Sequence, residues 1–336
     1  LQTDKKYDEA IRHLNALRDK FDREQQLPEA QLLIGQSHAA LLRHREAIQA
    51  FDAAFAANNK WPRADDVLFA ASQSHLALDE HDAAIGKLRK LVDTLPSSEQ
   101  RPQALYRLGE ITQQIGKLEE ASRWFSEVAE KHPDSPLANP AMHAMTTVCF
   151  NQGDFPRTIS WAERVIKGSA DSTLIQRARL MRGLAYRRSN NNVKAIEDLT
   201  AYVKDPAVAS EAITAGHMLA LAYISQKQFP QAKKALDDLL TSKPDFEEAD
   251  KIYYELAHAL LAEPTQATEA AATFQLLAEK RPGSDLAPES WFRVAQYQEA
   301  VAGNSSQKED GNRALMTAES ALKNGLVKAK EKDLRE

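Results

Sequence analysis

Nine histidines are the side chains of this sequence best suited to holding a metal ion. His38 and His75 stand 37 residues apart, and so do His44 and His81. Each pair is therefore one position met twice. No stretch places two histidines at helical ligand spacing with a carboxylate beside them. Other chemistries find no better footing. Gly109 to Lys117 has the outline of a phosphate loop. Too many residues separate its glycines, no Ser or Thr follows the lysine, and no strand precedes it. The single cysteine, Cys149, has no base paired with it in sequence. By helical spacing it faces a neighbouring helix, where a thiol acts as a small apolar group. No Gly-x-Ser-x-Gly elbow occurs. The carboxylates are numerous but scattered over solvated helix faces. Glycosidases built from stacked hairpins do use a carboxylate pair, yet they rarely keep a regular period. The sequence thus points to no catalytic residue, no cofactor and no metal.

Composition narrows the class. The chain has 336 residues, 43% hydrophobic and 27% charged, with only 12 Gly and 14 Pro. Ala, Leu, Gln, Glu, Lys and Arg dominate, all good helix formers, and no alternating β-branched run suggests a strand. Net charge is -5 with both signs well mixed, which argues against a nucleic-acid partner. One cysteine excludes an internal disulfide and leaves the compartment open. No apolar stretch is long enough to cross a bilayer, so no direct membrane insertion is expected of this segment.

A strict period organises these residues. Ala10, Ala47, Ala84, Ala121, Thr158, Ala195 and Ala232 follow one another at 37 residues, then Ala270 after 38 and Ala314 after 44. Four positions on lie Leu14, Phe51, Leu88, Phe125, Ala162, Leu199, Leu236, Phe274 and Ala318. Three further lie Leu17, Ala54, Leu91, Val128, Val165, Tyr202, Leu239, Leu277 and Ala321. Those offsets share one helical face. Pro96, Pro133, Pro244 and Pro282 stop several of these helices. Twelve residues before the alanine column lie small residues: Gly35, Ser72, Gly109, Thr146, Gly183 and Ala220. They mark a first helix, and the expectation is that small residues meet small residues where the two backbones approach. Turn signals separate the helices at Gly116-Lys117, Asn151 to Asp154, Asn190 to Asn192 and Lys227-Gln228.

Ala104 to Gly109, Gly116 to Ala121, Trp124-Phe125 and Pro133 together resemble the tetratricopeptide repeat. The resemblance covers nearly the whole chain. It weakens around 138–168, where Thr158 and Ala162 replace the usual residues, and the period of 37 departs from the family's 34. It implies an all-α, right-handed α-α superhelix (a TPR-like solenoid) of about eight hairpins. It also implies a concave face lined by two positions of each first helix. Here the position three before the small residue holds Phe69, Tyr106, His143, Leu180, His217, Tyr254 and Phe292. The position just after it holds Gln73, Glu110 and His258, and Arg187 extends the row. Such a row could grip a peptide or a partner helix. Packing between successive first helices would use the same rings. The Lys and Asn clamp by which some family members hold a terminal carboxylate is absent.

Three regions are expected: a second helix of a truncated repeat at 1–27, tandem hairpins at 28–286, and a last hairpin with an insertion and a charged tail at 287–336. A first helix missing before Leu1 suggests a piece of a longer protein. The functional expectation is a non-catalytic scaffold or adaptor for a protein or peptide partner. The alternatives are the interaction arm of a larger enzyme (a transferase, kinase or peptidase) and an architectural, self-associating rod. The segments Glu130 to Ala138 and Glu279 to Ala287 look like those of bacterial envelope proteins. They favour the periplasm or cell envelope, with the cytoplasm as the alternative.

Overall fold

The computed structural model describes residues 2–304 and 308–333. Part of the expected insertion (305–307), the end of the charged tail, and the side chains of Ala314 and Ala318 lie outside the described residues. Among the described residues all regular structure is helical. The chain divides into two compact units, one ending at Gly168 and one beginning at Ser169.

The first unit holds α1 Gln2–Leu17 followed by four hairpins: α2 Gln26–Ala40 with α3 His44–Ala57, α4 Ala64–Ala77 with α5 His81–Thr94, α6 Arg101–Gln114 with α7 Leu118–Lys131, and α8 Ala138–Asn151 with α9 Phe155–Gly168. The second unit holds four more: α10 Ser172–Arg188 with α11 Asn192–Lys204, α12 Ala209–Ser225 with α13 Phe229–Ser242, α14 Ala249–Leu261 with α15 Ala267–Lys280, and α16 Ala287–Asn304 with α17 Lys308–Asp333. Within each unit the helices of a hairpin pack together, and each second helix packs on the first helix of the next hairpin.

Side-chain volume explains the pairing. The alanine column from Ala47 to Ala270 is buried, as is the Phe51 to Phe274 column beside it. The glycines among the small residues of the first helices meet large side chains. Gly109 lies under the ring of Phe125, so close that a Cβ at residue 109 would stand 2.6 Å from it. Gly35 receives Phe51 in the same way, and Gly183 receives Leu199. Large side chains of the second helix sink into notches in the first. The weakest repeat obeys the same rule in reverse. There the notch position holds Thr146 and the opposite column holds Ala162, and both are fully buried. Volume lost on one helix is restored on the other, which keeps the interior close-packed.

The turns inside hairpins set the period. Residues 42, 79, 116, 153, 190 and 227 all have positive φ. After each, the next N–H reaches back to the carbonyl five residues earlier, as in Lys117 to Thr112 at 2.8 Å and Asn191 to Tyr186 at 2.8 Å. This is the Schellman closure of a helix. Glycine adopts that conformation without strain, but only Gly116 and Gly153 supply it here. Between hairpins the chain makes two turns back to back. Ser98 N–H bonds Leu95 and Arg101 N–H bonds Ser98. Equivalent pairs lie at Ser135, Phe246 and Ser284. The hydroxyls of Ser98 and Ser284 also donate to Asp65 and Asp250 of the preceding first helix.

The N-terminal helix is a partial exception. Ile11 is buried, but Leu17, expected on the same apolar face, is 43% exposed. Among the described residues α1 packs chiefly on α2.

The notch makes a prediction. Gly109→Ala lowers stability by about 1–3 kcal/mol through overpacking, although alanine is the better helix former. Gly86→Ala, at a helical site where an added Cβ meets nothing within 4 Å, raises stability by about 0.5–1 kcal/mol. Urea midpoints read both, and shifts of the same sign would contradict the notch.

Candidate functional site

In the first unit the predicted row lies on α4, α6 and α8. Phe69 is half-buried against the core. Gln73 sits one turn on, its side-chain nitrogen buried without a partner among the described residues. Tyr106 stands edge-on to Phe125, with ring centroids 5.3 Å apart. This is the same Phe125 that fills the Gly109 notch. Burial pushes the Tyr106 phenol above its ordinary range, and the nearby Glu110 carboxylate adds to that. Glu110 accepts a 2.8 Å bond from Arg107. His143 is half-buried one hairpin further on.

In the second unit the row differs in depth. Leu180 is only 6% exposed and supports the face from beneath. Arg187 is half-buried. His217 is edge-on to Phe246 at 5.4 Å, and its Nδ1 lies 3.2 Å from Glu248 Oε2. Tyr254 and His258, four residues apart on α14, lie with ring centroids 4.3 Å apart and their planes tilted by 58°. Both stand edge-on to Phe274, at 5.9 and 5.1 Å. The Tyr254 hydroxyl is hydrogen-bonded to Glu289 of α16, which holds that carboxylate below its usual range. Arg293 donates to the same carboxylate at 3.2 Å. Phe292 projects 48% exposed. The structure thus gathers Tyr254 and His258 with Glu289 and Arg293, and His217 with Phe246 and Glu248. Those four additions carry no column signal of their own. Only the i, i+4 spacing of 254 with 258 and of 289 with 293, on successive first helices, hints at the larger cluster.

Sequence periodicity also misses two clefts of the second unit. One, of about 720 Å³, is lined by α11, α12 and α13, with Val203, Ile213, Gly216 and Leu239 among its walls. The other, of about 650 Å³, is lined by α13, α14 and α15, with Phe229, Leu256, Leu260 and Leu276. Among the described residues no group of three or more His, Cys, Asp or Glu could hold a metal ion. None of the described helices is long and apolar enough to cross a membrane.

Residues 32–99 and 217–285 match the family model of the tetratricopeptide repeat. Both stretches are tetratricopeptide repeats. Residues 98–220 match the model of the YfiO outer membrane lipoprotein family, and this stretch contains the repeat with Thr146 and Ala162. Among solved structures, the C-terminal part of a TPR repeat-containing protein from Cytophaga hutchinsonii is 15% identical, with a TM-score of 0.55, over 76% of this chain and 97% of that one. A chain of the Naa15/Naa10 complex bound to HypK-THB is 14% identical, also with a TM-score of 0.55, over 98% of this chain and 50% of that one. At such identities the likeness is one of fold. No curated protein matches the sequence. Tetratricopeptide repeats as a family serve protein–protein interaction.

The imidazoles give the repeat array a pH dependence. Burial, first among the causes, lowers the pKa of His217 and His258 from the ordinary 6.5. The unfolded chain therefore takes up protons at a pH where the fold does not. Stability is intact above 6.5 and declines as pH falls towards the depressed folded values. The melting midpoint falls from about pH 7 to about pH 5, and the slope is shallower in His217→Gln/His258→Gln. An identical slope in that variant would assign the acid sensitivity to other groups.

Proposed function

We propose that this chain is a non-catalytic scaffold or adaptor that holds a segment of a partner protein on the face its first helices present. What carries the reading is the way Tyr106, Tyr254 and His258 are mounted. Each ring is pinned edge-on over a core ring, Phe125 or Phe274. A pinned ring has little rotamer freedom left to lose on binding, and each combines an apolar body with a polar edge. Phe292 adds an apolar side chain half open to solvent.

A photoreactive phenylalanine analogue placed at 106 or at 292 in cells of the source organism tests the reading. Adducts to a discrete partner form from these positions and not from Gly86, whose surroundings are open. Adducts of equal yield from residue 86 would remove the first-helix face from the account.

We further propose a bacterial cell-envelope setting, supported by the match of residues 98–220 to an outer membrane lipoprotein family. In fractionated source cells the protein is recovered with the envelope or the periplasm. Recovery in the cytosolic fraction alone would reject that setting.

A further inference from the structure

Helix α10 carries Arg177, Arg179, Arg182, Arg187 and Arg188, and no acidic residue between Ser172 and Arg188. Other first-helix arginines meet carboxylates. Arg107 pairs with Glu110 at 2.8 Å and Arg293 with Glu289 at 3.2 Å. On α10 itself, Arg182 closes on the buried Asp198 through two 2.7 Å bonds. Arg177, Arg179, Arg187 and Arg188 differ: among the described residues none has a carboxylate within 4.0 Å. Among the described residues the buried Nε groups of Arg177 and Arg187 have no hydrogen-bond acceptor. A buried donor with no acceptor is a costly arrangement in a native fold, and such groups are uncommon.

Helical geometry places these groups together. At 3.6 residues per turn, Arg177, Leu184, Arg187 and Arg188 fall within roughly 100° of the α10 surface, while Arg179 points to the opposite side. Helix α12 packs beside α10. It carries Leu221 and His217, and the Arg187 charge acts on His217. The result is a stripe with cations at both ends and half-buried leucines between them. From Arg177 to Arg187 is about 15 Å of helix, which an extended chain covers in about five residues.

We propose that this stripe binds an extended peptide whose acidic side chains, about five residues apart, bracket one or two apolar ones. One carboxylate pairs with Arg177 and the other with Arg187 and Arg188. The intervening apolar side chains lie on Leu184 and Leu221. The planar guanidinium suits a carboxylate, which it binds through two parallel N–H bonds. A phosphate backbone would find nothing to bind on the leucines in the middle of the stripe, which favours a peptide over nucleic acid. The proposal rests on the reading that the first-helix face binds protein, and gives that partner a chemistry.

Selection of a phage-displayed library of random twelve-residue peptides on the full chain tests it. The expected consensus has two acidic positions four to six residues apart with apolar residues between. Anisotropy of the best synthetic peptide then shows about ten-fold weaker binding for Arg177→Gln or Arg187→Gln, and about a hundred-fold for both. Arg177→Lys and Arg187→Lys, which keep the charge and lose the fork, fall between. Arg179→Gln binds as the parent does, and melting curves of all variants exclude misfolding. A loss in Arg179→Gln equal to that in Arg187→Gln would overturn the assignment. So would an empty selection, or arginine-dependent binding of a DNA duplex or of phosphatidylglycerol vesicles as tight as the peptide's. Peptides that lack acidic residues yet lose affinity in Tyr254→Ala would overturn the acidic chemistry and leave the first-helix face standing. Peptides indifferent to every first-helix substitution would overturn both.

Discussion

Phe125 reaches the backbone of its partner helix because residue 109 has no side chain to keep it away. That depth of approach fixes how closely two helices lie, and the hairpin is the unit from which both halves of the chain are built. Once the ring is seated, the positions around it follow. The alanine column is buried because helices this close leave room for little more than a methyl group. Tyr106 is held edge-on because its support cannot move. The Thr146 and Ala162 pair shows that the constraint is a sum of volumes, so either position can vary only if the other follows.

Charge plays a different part. Many ion pairs join groups about one hairpin apart in sequence: Arg43 with Asp8, Arg63 with Glu29, Lys87 with Asp52, Lys117 with Asp82 and Lys227 with Glu263. Exposed pairs of this kind contribute at most about 1 kcal/mol each. Their regular recurrence suits them to fixing the register of one hairpin on the next, while the rings supply cohesion. Against that background the uncompensated arginines of α10 are a departure.

Much of the fold is legible in the sequence because a solenoid repeats its solution. The columns at Ala47, Phe51 and Ala54 identify a buried face before any coordinates exist, and each later copy repeats the message. What a column cannot convey is what stands across from it. Small residues on both helices suggest small meeting small, and only the spatial offset reveals Gly109 beneath Phe125. The candidate row was legible as positions and not as depths. Leu180 and Phe292 hold equivalent sites, yet one is buried and the other half exposed. The bond from Tyr254 to Glu289 spans neighbouring hairpins, and the clefts beside α13 depend on how far helices diverge. Neither property has a one-dimensional signature.

The hairpin turns reach furthest beyond the static picture. Four of the six left-handed positions are held by Leu42, Asp79, Asn190 and Lys227, not by glycine. An L-residue there costs roughly 1–2 kcal/mol, somewhat less for Asp and Asn. The array tolerates that cost at several places and still closes every turn. A chain with so many correctable local defects stands well short of its attainable stability, as natural proteins commonly do. It can therefore drift in sequence, losing stability at one hairpin turn and regaining it at another, because each turn is closed by its own local hydrogen bonds.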